Sequence, residues 1–94
     1  MLPGILKDKT VLVTGAASGI GRKIAELSSV GGATVILCDL NRAALDDVLG
    51  GLATGGADHR AVVCDVTDND DIAKAFAGQG KIDAVVHSAG MWRP

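Results

Sequence analysis

Long apolar runs are missing from this 94-residue chain, and no stretch approaches the ~18 residues that a membrane-spanning helix needs. The opening Met1-Leu2-Pro3-Gly4-Ile5-Leu6-Lys7 has neither the charged start nor the extended apolar core of a signal peptide. The expectation is a cytoplasmic protein with no membrane partner. Cysteine is scarce too: Cys38 and Cys64 are too few for a disulfide framework and fit a reducing compartment. With His59 and His87 they could nominally supply four zinc ligands, but no Cys-x-x-Cys or His-x-x-x-His spacing is present. Buried or half-buried thiols are the better reading, and no metal is expected. Charge of one sign is concentrated nowhere. Nine Lys plus Arg and eleven Asp plus Glu are spread along the chain, so neither a basic stripe for nucleic acid nor an acidic tail exists. Tyrosine is absent altogether. There is no linker, internal repeat or low-complexity segment.

What is present is a chain 48% hydrophobic, enough for one compact unit with a core and no second domain. Thirteen glycines are many for a chain without repeats. Several fall between an apolar run and a helical pattern, where backbone must come close to something. Four apolar or β-branched segments, Thr10 to Thr14, Ala33 to Cys38, Arg60 to Cys64 and Ile82 to His87, alternate with three helical patterns. That alternation is the mark of βαβ units and a parallel sheet. Val11-Leu12-Val13 and Val35-Ile36-Leu37 do not alternate with polar residues, as expected of strands covered on both faces.

The first helix is predicted with Ile20, Ile24 and Leu27 on its apolar side, Arg22, Lys23 and Glu26 on the polar side, and Gly31-Gly32 at its end. The second is predicted to be capped near Asn41, to bury Leu45, Val48, Leu49 and Leu52, and to stop in Thr54-Gly55-Gly56. The third takes Thr67 as N-cap, carries Asp68, Asp70 and Asp71 at its positive end, buries Ile72 and Phe76, and finishes at Gly78. Right-handed crossovers then give an α/β, Rossmann-type doubly wound parallel sheet of four strands in order 3-2-1-4.

The strongest motif is Thr14-Gly15-Ala16-Ala17-Ser18-Gly19-Ile20-Gly21, where the first strand turns into the first helix. Gly15 permits the tight turn, Gly19 lets backbone approach a pyrophosphate, and Gly21 lets helix and strand come together, with free amides of the helix start facing the anion. A glycine triplet by itself is weak; its place after a strand, before a helix and inside a βαβ unit is the confirming context. Asp39 ends the second strand 18 residues beyond Gly21, near the offset of an acid that binds the adenine ribose hydroxyls. A carboxylate there accepts from the 2′-hydroxyl and repels a 2′-phosphate, which favours NAD over NADP. Ser18 offers a 2′-phosphate no positive charge, while Arg42 lies close enough in sequence to complicate the choice. Asp39 could also simply start the following turn.

From Leu6 to Gly90 the chain resembles the short-chain dehydrogenases/reductases. The signatures are Thr14 to Gly21, Asp39, Asp65-Val66 after the third strand, and His87-Ser88-Ala89-Gly90 after the fourth. The resemblance implies that Gly15, Ser18, Gly19, Ile20, Gly21, Asp39, Leu40, Asp65, Val66, Ala89 and Gly90 bind a nicotinamide dinucleotide. In it, Asp65 accepts from the adenine amino group and the Val66 backbone lines the adenine pocket; from the sequence alone Asp65 could equally be a turn residue. The family's usual Asn-Asn-Ala-Gly is here His87-Ser88-Ala89-Gly90. Buttressing of the sheet is the preferred role for His87 over that of a catalytic base, although its ordinary pKa near ~6.5 suits proton transfer. Ser88 lacks the Gly-x-Ser-x-Gly elbow of a nucleophile.

The family's chemistry uses a Tyr-x-x-x-Lys pair with an assisting Ser, and none of these catalytic residues can be placed in a chain without tyrosine. The expectation is the cofactor-binding portion, residues 1–94, of an NAD(P)-dependent oxidoreductase that moves hydride between the cofactor and a small alcohol or carbonyl substrate. The catalytic and substrate portion is expected to lie outside it. The 94 residues alone are expected to be noncatalytic, and either part of a longer chain or a homo-oligomer. The alternative is a noncatalytic nucleotide-binding module or subunit.

Overall fold

The computed structural model describes residues 4–17, 19–52, 58–65 and 67–88. Within them the order is β1 (Thr10–Thr14), α1 (Gly19–Val30), β2 (Thr34–Asp39), α2 (Arg42–Gly51), β3 (Arg60–Val63), α3 (Asn69–Ala77) and β4 (Ala84–His87). The strands form one parallel sheet in the order β3-β2-β1-β4, the order expected of a Rossmann-type sheet. In register, Leu12 stands beside Ile36 and Val85, and Cys38 beside Val62. The strand limits move by a residue or two from those predicted: Ala33 precedes β2, Cys64 follows β3, and Ile82 lies ahead of β4.

Each face of the sheet has its own core. Val11, Val13, Val35 and Leu37 point to α1 and α2 and meet Ala25, Leu45, Val48 and Leu52. Leu12, Ile36 and Cys38 point the other way, to Cys64 and Ala75, with Val62, Ile72 and Phe76 partly covered beside them. The alternation follows from the two-residue repeat of a strand, and both sets are apolar because both faces are covered. Each fully buried Leu or Ile here contributes about 1.5–3 kcal/mol relative to exposure.

The helices differ from expectation in three places. On α1, the buried residues are Gly21, Ala25, Ser28 and Ser29, while Ile20 is 74% and Leu27 43% exposed, and Ile24 sits at the border. The helix is turned one residue, roughly 100°, from the orientation that its large apolar residues predict. The small residues win because Gly21 must lie directly against the turn at Gly15, so its face, not the bulky one, meets the sheet. On α3 the N-cap is Asp68 and not Thr67: its carboxylate accepts from the amides of Asp70 and Asp71. Ile72 and Phe76 are half-buried and Ala75 is the buried residue of that helix. On α2, Asn41 accepts from the Ala44 amide at 3.0 Å as expected, and Leu45, Val48 and Leu52 are buried while Leu49 is half-buried. It ends at Gly51 with Leu52 as cap, and Thr54-Gly55-Gly56 lies outside the described residues.

Candidate functional site

All four strands finish at one end of the sheet, so Thr14, Asp39, Asp65 and His87 are brought together by topology although they are scattered in sequence. Connections leave β1 in opposite directions on its two sides, toward β2 and toward β4. A parallel sheet opens a ligand crevice at such a switch point.

The glycine-rich turn is clamped from both sides. Toward β2, the Ala16 amide donates to the Cys38 carbonyl at 3.2 Å and the Ala17 amide to Asp39 Oδ2 at 3.1 Å. Toward β4, the Ser88 amide and Oγ both donate to the Thr14 carbonyl, at 3.2 and 2.7 Å. Gly15 has φ +66° and Gly19 φ +56°, a region in which L side chains are strained. A Cβ on Gly21 would lie 2.9 Å from the Gly15 carbonyl carbon and nearer still to the Gly15 oxygen and Ser88 Oγ. Gly21 therefore performs the helix-to-turn contact assigned to it. At Gly19 nothing lies within 4 Å of an added Cβ. Its φ favours glycine, and the space beside it is open.

Asp39 holds its own surroundings together. Oδ1 accepts from the Leu40 amide at 2.7 Å and more distantly from Asn41, and Oδ2 accepts from Ala17. The side chain thereby ties β2 to the glycine-rich turn and stands at the mouth of the crevice. The bonds to Leu40 and Asn41 are those of the turn role that the sequence allowed it. Ile20 and Leu40 are both exposed. The first turn of α1 carries no acidic residue, whereas that of α3 carries Asp70 and Asp71 behind the Asp68 cap. The first amides of any α-helix have no partner within it, so the α1 start fits an anionic ligand.

Asp65 Oδ1 accepts from the Thr67 amide at 2.9 Å and from Thr67 Oγ1 at 2.6 Å, and these bonds hold its carboxyl below the usual range. In the described chain it is a turn residue. His87 Nδ1 lies 3.1 Å from Thr14 Oγ1, which also reaches the Val86 carbonyl at 3.4 Å, so the ring braces β4 against β1. Burial, with Cys64 and Asp39 adding to it, pushes the Cys38 thiol up to about 12, and burial raises that of Cys64. Both thiols are buried in the sheet core. Among the described residues no group of His, Cys, Asp or Glu is arranged to hold a metal, and no helix is long and apolar enough to cross a membrane. Ser18, Val66, Ala89 and Gly90 lie outside the described residues.

Nothing in the sequence signalled the double clamp of Ser88 on Thr14 or the bond from the Ala17 amide to Asp39. Both depend on strand register, for which no local signal exists. His59, considered only as a nominal zinc ligand, instead accepts from the Val35 amide at 2.9 Å.

A family profile described as short chain dehydrogenase matches residues 9–94. The D-threitol dehydrogenase of Mycolicibacterium smegmatis is 40% identical over 92 residues, covering 94% of this chain and 35% of that protein. The 7alpha-hydroxysteroid dehydrogenase of Escherichia coli is 33% identical over 89 residues, covering 90% of this chain and 35% of its own. A solved short chain dehydrogenase from Mycobacterium smegmatis superposes with a TM-score of 0.80 at 36% identity, over 97% of this chain and 41% of that one. The chain spans about a third of the length of the relatives it matches.

Proposed function

We propose, because the chain belongs to the short chain dehydrogenase family, that these residues bind the adenosine and pyrophosphate of NAD(H) and form the cofactor-binding portion of an oxidoreductase acting on an alcohol or carbonyl. The observation that carries this reading is the glycine-rich turn, with Gly15 and Gly19 at positive φ and Gly21 pressed against Gly15. In this reading the amides of the α1 start receive the pyrophosphate, and Asp39 accepts from the adenine ribose 2′-hydroxyl and repels a 2′-phosphate. Asp65, Val66, Ala89 and Gly90 line the adenine and ribose ends. The bound nicotinamide supplies the hydride donor or acceptor. The protein's own work here is to bind and orient.

Two relatives named for a polyol and for a steroid match the same segment at 40% and 33% identity. The segment carries what such proteins share, and substrate choice belongs to residues beyond it. The family's tyrosine has no counterpart in these 94 residues. A positioned acid or base typically contributes about 10²- to 10⁴-fold, so the 94 residues alone are expected to bind cofactor without turning over substrate.

Calorimetric titration of the whole protein tests this reading. Saturable binding of one NAD⁺ per chain, tighter than NADP⁺, is the expected result. Absence of binding, or tighter binding of NADP⁺, would overturn it.

A further inference from the structure

Arg42 is the cation nearest to Asp39 in sequence and opens α2. From that position an arginine could reach the 2′-phosphate of NADP and weaken the selectivity that Asp39 provides. Its guanidinium is engaged elsewhere. Nε lies 3.2 Å from Asp46 Oδ1, one helical turn along α2, and NH1 donates to the Ala61 carbonyl at 3.3 Å.

The place of Ala61 makes this contact informative. Ala61 pairs with Leu37, two residues before the Asp39–Val63 pair. At about 3.3 Å per residue the guanidinium is therefore drawn roughly 6–7 Å back from the finishing end of the sheet. Because Cys64 donates to the Asp39 carbonyl, the even-numbered residues here serve the β2–β3 ladder. The Ala61 carbonyl then faces the open side of β3, away from β2. Arg42 is thus turned both downward and outward from the crevice mouth. Arg22, in the first turn of α1, is likewise held by a carboxylate of α2, Asp47, at 3.4 Å.

We infer that Asp46 is a positioning residue for cofactor choice: it keeps Arg42 on the open edge of β3 and so withholds it from a 2′-phosphate. The inference rests on the dinucleotide reading above and adds a second determinant to it. An exposed i,i+4 pair is worth only about a twofold population shift, and the Ala61 contact adds to it. The restraint is modest, and Asp39 masks it while its charge repels the phosphate.

The test is a set of calorimetric titrations of the whole protein with NAD⁺ and NADP⁺ in the Asp39→Ala background. Adding Asp46→Asn should tighten NADP⁺ about twofold, the size of the restraint removed, and leave NAD⁺ unchanged. The gain should vanish when Arg42→Gln is also present, because no guanidinium remains to be released. Asp47→Asn, which frees an arginine from a longer contact, should give the smaller gain.

A gain that persists without Arg42, or an equal change for both dinucleotides, means simple charge removal and overturns the inference. NAD⁺ binding with NADP⁺ affinity indifferent to Asp46→Asn overturns it while leaving the cofactor reading intact. If the unmodified protein binds neither dinucleotide, both fall together.

Discussion

Where the strands begin, an amide in the first two residues of β1 and of β2 is taken by a side chain from the residue just ahead of the neighbouring strand: Asp83 accepts from Thr10 at 2.8 Å, and His59 from Val35 at 2.9 Å. Where the strands finish, side chains also join neighbouring segments, but through Asp39 and Ser88 they hold a turn with two positive-φ glycines beside open space. The first end is closed by satisfying the sheet's own polar groups, as buried or half-buried backbone requires. The second spends comparable bonds on shaping the glycine-rich turn. A parallel sheet makes this division natural, because every strand presents its amides and carbonyls in the same sense.

The largest effect expected from this contrast is at Gly21. Gly21→Ala places a methyl group against the Gly15 backbone, which cannot yield without moving the turn. A loss of about 1–3 kcal/mol in urea unfolding is expected, with dinucleotide binding abolished. Unchanged stability and binding would show that the finishing end tolerates crowding.

Next is Asp39→Ala. A charge-assisted hydrogen bond is worth about 1.5–3 kcal/mol, so NAD⁺ affinity should fall by about tenfold or more and the preference over NADP⁺ should narrow. Titration showing an unchanged preference would remove Asp39 from cofactor choice.

Gly50 supplies the opposite case to Gly21. It lies within α2, a helix running back toward the closed end, and nothing lies within 4 Å of an added Cβ. Gly50→Ala should raise stability by up to about 1 kcal/mol through helix propensity and leave cofactor binding alone. A destabilised variant would mean that the closed end is less tolerant than its geometry indicates.

The smallest effect concerns acid. The Thr10 amide, assisted by Lys81 and Lys9, holds the Asp83 carboxyl below the usual range. A folded-state value below the unfolded one stabilises the protein above about pH 4, near the ordinary aspartate value. That contribution is lost as pH falls through the folded-state value. The urea midpoint should therefore drop between pH 5 and pH 3, and drop less in Asp83→Asn. Asp65, lowered by its bonds to Thr67, leaves a residual slope of the same sign. Equal slopes in the two proteins would show that the cap on β1 contributes nothing measurable.

Much of this architecture was legible in the residues because it follows from local chemistry. Val11-Leu12-Val13 and Val35-Ile36-Leu37 read as strands covered twice and are buried in that way. Asn41 read as a cap and caps. α1 was legible as a helix but not in its rotation, since Ile20, Ile24 and Leu27 outweigh Gly21, Ala25 and Ser28 on any scale of apolar size. The cap of α3 moved from Thr67 to Asp68 because Asp65 engages both the amide and the hydroxyl of Thr67, a competition between neighbouring polar groups that composition does not rank.

The sequence by itself determined the alternation of strands and helices and the glycine spacing of the turn, because each depends on periodicity or the φ that a residue can adopt. Tertiary structure alone decided that α1 turns its small face inward, that Ser88 and Asp39 grip the turn from opposite sides, that His59 and Asp83 close the other end, and that Arg42 points away from the crevice. These contacts join residues 19 to 74 positions apart or arise between crowded neighbours. Strand register and close backbone approach select them, and neither exists until the sheet has formed.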